Sequence, residues 1–299
     1  MTGAGYSRAA FVHYLVPDTE GVKPAVAQSQ DHRRVVLITD IDGTLVAHDT
    51  YDPGPAVEAV AGLQRAGIPV VLCSAKTRAE QEALRARLAL DDPCIVENGA
   101  AVIFPVGFPG SRAGDGEQEL VTFGLSYREV REGLEQAARA AGVAVKGFGG
   151  LSIEDVAQLT GLTLARATKA RTREFTETFV LEDPTPEREQ RLAQHLEEVG
   201  MRMLHGARYW TALGQHDKAQ AVQYVISRYR ELGPVTSCGV GDSASDIGIL
   251  QEVDVPMLVQ QADGSWADIE LPGLKQLNGQ GPLGWPQAAD VALGLESAR

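Results

Sequence analysis

Asp40 and Asp42, separated by one residue and followed by Gly43 and Thr44, are two carboxylates placed to face the same way at the end of an extended stretch. Three later stretches supply what such a pair needs: Ser74, Lys218, and the acids Asp242 and Asp246. Asp40 and Asp242, with the main-chain carbonyl of Asp42, are hard oxygen ligands too few to complete a cage. Such a set suits Mg²⁺ and leaves positions for water and a phosphate oxygen. Without a cation, two carboxylates roughly 4 Å apart repel by about 4 kcal/mol at an effective dielectric of ~20. The set points to phosphoryl transfer through a covalent aspartyl-phosphate. Asp40 attacks phosphorus, and Asp42 protonates the leaving oxygen and then activates the water that hydrolyses the intermediate. Ser74 and the N–H groups of Gly43 and Ala75 are expected to hold the transferring oxygens while Lys218 neutralises their charge. Asp246, four residues beyond Asp242 and with Ser243 in support, is expected to orient Lys218 or a metal-bound water rather than to bind the ion. Each piece alone has a plainer reading: Ser74 as a helix cap, Lys218 as a solvated surface lysine, residues 241–246 as an acidic cap. Their order, each after a buried strand, favours the chemistry.

The elements that must position these groups are legible around them. Residues 35–39 form a continuous apolar, β-branched run, the mark of a strand buried on both faces at the centre of a parallel sheet. Residues 52–66 carry apolar positions at helical spacing, opened by Pro53 and Pro55 and stopped by Gly67. A second buried strand over 68–73 ends at Ser74, and Thr77 with Glu80 predicts a capping box for a helix over 77–90. Residues 94–96 make a third strand. This strand–helix rhythm means right-handed βαβ units. It breaks near Pro105, where loop chemistry dominates residues 107–118. Beyond come predicted helices over 126–141 and 185–199, two small helices starting near Ser152 and Thr163, strands at 143–146 and 175–181, and a hairpin pairing 201–204 with 209–213. The core rhythm resumes with a helix over 217–232, which carries Lys218 in its first turn. A cation there opposes the helix dipole, so an anion must lie nearby. A strand over 235–240 ends at Gly241-Asp242, and one more helix and a strand over 255–259 finish the sheet. The expected architecture is α/β: a doubly wound, Rossmann-like parallel-sheet core over 34–106 and 207–299, with an αβ cap domain over 107–206 inserted into it.

The chain of 299 residues can bury a sizeable core. Its formal charge of −13 argues against nucleic acid or an anionic membrane as partner, because binding phosphate backbones rests on clustered Lys and Arg. A phosphorylated ligand must then be small and held by a local positive site. Cys73, Cys94 and Cys238 form no Cys-x-x-Cys pair and read as buried hydrophobes in a reducing compartment. No run approaches eighteen apolar residues, and residues 1–33 read as an appended mobile tail, so a cytoplasmic protein is expected. His205 and His216 lack the spacing of a metal pair, and the absence of Gly-x-Gly-x-x-Gly and Walker A sequences disfavours dinucleotide or ATP binding.

With these residues in view, the chain resembles the haloacid dehalogenase superfamily. Its four motifs match Asp40-x-Asp42-Gly43-Thr44, Ser74, Lys218 and Gly241-Asp242-x-x-x-Asp246. The insert, alongside Glu97-Asn98-Gly99-Ala100, looks like the αβ cap of the sugar-phosphatase branch. A finer likeness within that branch rests on residues 74–81, 173–178 and 281–285, and the resemblance spans about residues 34 to 296. It implies a Mg²⁺-dependent phosphatase whose cap closes over the core, and a small hexosyl phosphoglycerate substrate bearing both phosphate and carboxylate. It implies Lys76, Arg78 and Arg173 as partners for those anions, with Asn98 and Thr176 as further substrate contacts, and a synthase upstream that makes the substrate. Residues 147–152 could present main-chain N–H groups to the same ligand. The chain departs from the branch at Ser245, where Asn is usual. Another sugar phosphate, such as sucrose phosphate or glucosyl-3-phosphoglycerate, and a non-catalytic sensor of sugar phosphates are the competing readings. The joint presence of Asp40, Asp42, Lys218 and Asp242 argues against the sensor.

Overall fold

β1 (Arg34–Thr39) runs through an eight-stranded sheet, and its five residues after Arg34 are all buried. The computed structural model describes residues 34–206 and 208–298; the expected tail over 1–33 lies outside the described residues. From β1 the chain forms α1 (Ala56–Arg65), β2 (Val70–Cys73), α2 (Arg78–Leu88), β3 (Cys94–Val96), β4 (Ala101–Phe104) and β5 (Glu119–Thr122). It continues through α3 (Tyr127–Ala141), β6 (Val145–Gly147), α4 (Ile153–Thr160), α5 (Leu164–Arg171), β7 (Glu177–Leu181), α6 (Pro186–Glu198), β8 (Arg202–His205) and β9 (Trp210–Leu213). Then follow α7 (Lys218–Arg230), β10 (Val235–Gly241), α8 (Ile247–Leu250), β11 (Val255–Gln260), β12 (Lys275–Gln280) and α9 (Trp285–Ser297).

The large sheet has the order β12-β11-β10-β1-β2-β3-β4-β5, parallel from β12 to β3 and antiparallel over β4 and β5. Alternation along β1 feeds two cores. Val35 and Leu37 pack with Val60 and Leu63 of α1 and Ala288 and Ala292 of α9, whereas Val36 and Ile38 pack with Val222, Val225 and Ile226 of α7. Helices therefore cover both faces, as a doubly wound fold requires. Cys73, Cys94 and Cys238 are free and buried. Register then sets the site. Thr39 pairs with Val240 on one side and Leu72 on the other, and Leu72 pairs in turn with Cys94. The chain ends that follow, at Asp40, Asp242, Ser74 and Glu97, emerge together at the carboxyl edge, where open α/β sheets take their ligands.

The smaller sheet, β6-β7-β9-β8, is antiparallel throughout. Val130 and Leu134 of α3 and Leu192 and Leu196 of α6 pack against Phe179, Leu181, Trp210 and Ala212 of its strands. Capping boxes open α2 at Thr77 with Glu80 and α3 at Ser126 with Glu129. Three features differ from the sequence expectation. Glu97, Asn98 and Gly99 all take positive φ, so the chain reverses after β3 and β4 and β5 return beside it as added strands. β12, polar but for Leu277, extends the sheet past β11, because an edge strand needs no apolar alternation. The boundaries expected for the insert, 107 and 206, do not follow the strand pairing: β5 belongs to the large sheet and β9 to the small one. Among the described residues no helix is long and apolar enough to cross a membrane.

Candidate active site

Lys218 is the hub of the carboxyl edge. Asp217 caps α7 by accepting the N–H of Gln220, which fixes the first turn and turns the Lys218 side chain inward. Its Nζ lies 2.9 Å from Asp40 Oδ1 and 2.9 Å from Asp246 Oδ1, with all three residues buried. Burial alone lowers the lysine pKa, but Asp246 and Asp40 outweigh it and hold the ammonium well above its ordinary value. Asp40 is pushed well above the usual carboxylate range, first by burial and next by Asp246, against the pull of Lys218. Burial also raises Asp246, yet Lys218 and the loop's N–H groups bring it below its ordinary value.

The second oxygen of Asp246 accepts the N–H groups of Asp242 (3.0 Å) and Ser243 (3.2 Å), so one carboxylate both orients the lysine and folds the acidic loop. Ser243 and Ser245 share a hydroxyl hydrogen bond of 2.9 Å at its rim. Thr44 Oγ1 donates to Asp242 Oδ1 at 3.0 Å. Asp40, Asp242 and Asp246 each bring a carboxylate oxygen within 4.8 Å of the other two, a buried all-oxygen set compatible with a divalent cation. Asp246 stands within this cluster, but both its oxygens already accept hydrogen bonds. Asp242 Oδ2 lies 3.9 Å from His48 Nε2.

Asp42 faces Lys76, whose Nζ lies 3.0 Å from Oδ2, while Asp42 Oδ1 is buried with no hydrogen-bond partner among the described residues. Burial lowers the Lys76 pKa, but Asp42 and Glu80 more than restore it. Gly43 takes φ +81°, and a Cβ there would lie 2.4 Å from His48 Nε2 and 2.8 Å from Asp242 Oδ2, so any side chain there is strained and crowded. Its N–H, expected to hold a phosphate oxygen, instead donates to the carbonyl of Val46 at 2.9 Å to close the turn. Ser74 is buried and its Oγ accepts the N–H of Lys76 at 3.3 Å. Asn98 is half-buried, with φ +62°, and donates its main-chain N–H to Ser74 O.

The residues expected to meet the substrate's anions are arranged differently. Arg173 Nε donates to Thr176 Oγ1 (2.8 Å) and its Nη2 to the carbonyl of Ala75 (3.0 Å), and it lies 3.5 Å from Glu97. Arg78 Nε lies 3.3 Å from Glu174. Thr176 is wholly buried and donates its hydroxyl to Glu97 Oε2 at 2.6 Å. These side chains form a latch between the two sheets rather than open contacts for a ligand.

Three contributors carried no role in the sequence reading. Glu97, fully buried, also accepts the N–H groups of Glu174 (2.8 Å), Phe175 (3.2 Å) and Thr176 (2.8 Å). Its signal was a carboxylate directly after a buried strand, the same signal as Asp40. Thr44 stood within the motif without a task. Trp285 Nε1 donates to Thr39 Oγ1 (3.0 Å), whose hydroxyl donates to the carbonyl of Asp40 (2.7 Å), so the Gly281–Trp285 stretch backs the strand end that carries Asp40.

The connections joining the two sheets, residues 123–126 and 214–217, meet at His216. It is buried, and a Cβ on Gly124 would lie 3.0 Å from its ring. Burial lowers its pKa and Arg202 adds to this, against Glu97 and Asp217. A histidine whose folded pKa lies below its unfolded value leaves stability intact above about 6.5 and removes it as pH falls further, because the unfolded chain takes up the proton first. The urea midpoint should therefore fall between pH 7.5 and 5.5, and the fall should shrink in His216→Gln.

Residues 37–107 match the family model of haloacid dehalogenase-like hydrolases. A glucosyl-3-phosphoglycerate/mannosyl-3-phosphoglycerate phosphatase of Persephonella marina is 34% identical over 260 residues, covering 85% of this chain and 95% of its own length. A mannosyl-3-phosphoglycerate phosphatase of Pyrococcus furiosus is 31% identical over 229 residues, covering 75% of this chain and 90% of its own. The crystal structure of Thermoplasma acidophilum 0175 aligns with a TM-score of 0.59 at 17% identity, covering 88% of this chain and 99% of its own, a likeness of fold. Fold and acidic cluster together define an enzyme, a hydrolase of phosphoric monoesters. The chain belongs to the haloacid dehalogenase-like hydrolases, in their sugar-phosphatase branch, and is related to the mannosyl- and glucosyl-3-phosphoglycerate phosphatases.

Proposed function

We propose that the protein is a Mg²⁺-dependent phosphatase that hydrolyses mannosyl-3-phosphoglycerate to mannosylglycerate and phosphate through an aspartyl-phosphate on Asp40. The observation that carries this reading is the charge arrangement at the carboxyl edge: Lys218 bridging Asp40 and Asp246, beside Asp242, with Asp42 two residues from Asp40. The carboxylates of Asp40 and Asp242, with the main-chain carbonyl of Asp42, would hold Mg²⁺, which would supply positive charge to offset that of the nucleophile and the phosphate.

Asp40 Oδ2, on the carboxylate whose other oxygen Lys218 holds, attacks phosphorus. The fixed ammonium then lies beside the charge that develops on the transferring oxygens, where it needs no reorganisation. Asp42 gives its proton to the leaving oxygen and later takes one from the attacking water, and Lys76, 3.0 Å away, holds its side chain in place. Ser74 lines the phosphate site, and the small sheet with α4 and α5 forms the cap that covers the ligand and selects it. The relatives' activities support the sugar-phosphoglycerate class, and the double name of the Persephonella enzyme supports glucosyl-3-phosphoglycerate as a second candidate substrate. Mannose and glucose differ at one hydroxyl, a difference that one hydrogen bond can read.

Phosphate release from mannosyl-3-phosphoglycerate, glucosyl-3-phosphoglycerate and sucrose 6-phosphate, each with Mg²⁺ and with EDTA, tests the proposal. Release from mannosyl-3-phosphoglycerate, with or without release from the glucosyl ester and falling about 10²-fold or more with EDTA, is the expected result. Release from sucrose 6-phosphate alone would leave the core chemistry and remove the substrate assignment.

A further inference from the structure

A substrate of the proposed class carries a carboxylate close to its phosphate, and Arg78 and Arg173 already hold carboxylates and carbonyls of the protein itself. In a chain with a formal charge of −13, cations left without acidic partners beside a catalytic acid are informative. A cavity of about 190 Å³ lies there, between the loop after β1, α2 and α5, with Tyr51, Lys76, Arg166 and Lys169 in its wall. Arg87, also in the wall, is paired with Asp52. Arg166 and Lys169 form no ion pair among the described residues. The main chain of α5 is fixed at this point, since Thr77 Oγ1 donates to the carbonyl of Lys169 at 2.9 Å.

Tyr51 gives the cavity its shape. It takes φ +56°, a left-handed conformation that disfavours a bulky side chain and that surrounding structure must hold in place. In that conformation its ring meets Lys76 Nζ at 4.6 Å from the centroid and the Arg166 guanidinium at 4.7 Å. One ring thus gathers a cation from each side of the cleft, and the first of them lies 3.0 Å from Asp42. The leaving oxygen of the phosphoester must reach Asp42, and in a phosphoglycerate only the glycerate carbons separate that oxygen from the carboxylate. The carboxylate therefore has to settle within a few ångströms of Asp42, and this cavity, several times the ~30 Å³ share of one water, has room for it.

We propose that Arg166 and Lys169, positioned by Tyr51 and joined by Lys76, form the subsite for the substrate's carboxylate, and that Arg166 selects phosphoglycerate esters over phosphate esters without a carboxylate. The proposal rests on the sugar-phosphoglycerate reading and names the side chains that carry out its selection. Arg166 offers a planar fork that matches a carboxylate, and Lys169 adds a point charge on the same helix face, three residues on.

The test compares kcat/KM for mannosyl-3-phosphoglycerate and for 4-nitrophenyl phosphate in wild type, Arg166→Ala, Lys169→Ala and Arg166→Lys. The ratio of the first to the second should fall roughly 10-fold or more in Arg166→Ala, through KM for the phosphoglycerate, because a charged hydrogen-bond partner is lost. Lys169→Ala should lower it in the same direction, and Arg166→Lys should recover part of it. A wild-type preference for the phosphoglycerate combined with an unchanged ratio in Arg166→Ala would overturn the subsite alone. Wild-type enzyme that cleaves 4-nitrophenyl phosphate but no sugar phosphoglycerate would overturn the functional reading, and the subsite with it.

Discussion

Asp40→Asn should lower kcat by about 10⁴-fold or more while the fold persists and, in metal-free protein, the melting temperature holds or rises. The two halves have one cause. Asp40 is buried among Asp246 and Asp42, and its carboxyl is pushed well above the usual range by burial first and Asp246 second. A carboxylate with a raised folded pKa is held at a cost to folding above its ordinary pKa, so its charge weakens the fold near neutral pH. Asparagine keeps the volume and an oxygen for Lys218 to meet, and Lys218 retains Asp246 at 2.9 Å. What disappears is the nucleophile, and no neighbouring group takes over its attack. Single-turnover phosphate release and a thermal melt on the same preparation measure both halves. Activity within tenfold of wild type would remove Asp40 as nucleophile; loss of the folded state would make its carboxylate structural instead.

The parts of this site legible in the sequence are those where local pattern and chemistry coincide. A parallel strand buried on both faces must be a continuous apolar run, so the end of β1 announces Asp40, and β10 announces Asp242 in the same way. Lys218 was legible because a cation in a helix's first turn demands an anion, and Asp40 and Asp246 stand there. The parts that were hidden depend on long-range partners. Arg173 reads as a ligand for a substrate anion only through the family resemblance, and its local alternative is an ion pair with Glu174 or Glu177. Its nearest carboxylate is Glu97, on the far side of the inserted segment, and no spacing rule reaches that distance. Tyr51 lies in the loop after β1 and Arg166 and Lys169 lie one turn apart on α5, so no local pattern links the tyrosine to the two cations, and they meet only through tertiary packing. β4 was lost for another reason: its apolar residues follow three positive-φ positions, and although Asn98 and Gly99 are turn formers, nothing local marks that the chain doubles back beside β3. There the constraint is backbone to backbone, since a Cβ at Gly99 would lie 2.0 Å from the carbonyl oxygen of Asp217.

Glu97→Ala should destabilise the protein by about 3–5 kcal/mol, the loss expected when one partner of a buried, hydrogen-bonded charge is removed. Glu97 has no solvent exposure, and its two oxygens accept three successive main-chain N–H groups, from Glu174, Phe175 and Thr176, and the Thr176 hydroxyl. Alanine leaves these donors without their acceptor, those of Phe175 and Thr176 buried, and leaves Arg173 without the carboxylate 3.5 Å away. Glutamine does little better. It keeps one accepting oxygen but turns an NH₂ group toward main-chain N–H groups that need an acceptor. The damage is directional, because residues 174–176 lead directly into β7, and β7 pairs with both β6 and β9 in the small sheet. Releasing them frees the small sheet from the turn after β3 while the carboxyl edge of the large sheet keeps Lys218 between Asp40 and Asp246. A structural role confined to the large sheet predicts loss of activity on every ester in proportion to unfolding. The latch predicts a different pattern at temperatures where the variant stays folded: KM for the sugar phosphoglycerate rises, whereas turnover of 4-nitrophenyl phosphate, which needs little from the cap, falls much less. Urea unfolding with both assays on the same variant separates the two, and an unchanged urea midpoint in Glu97→Ala would dispose of the latch.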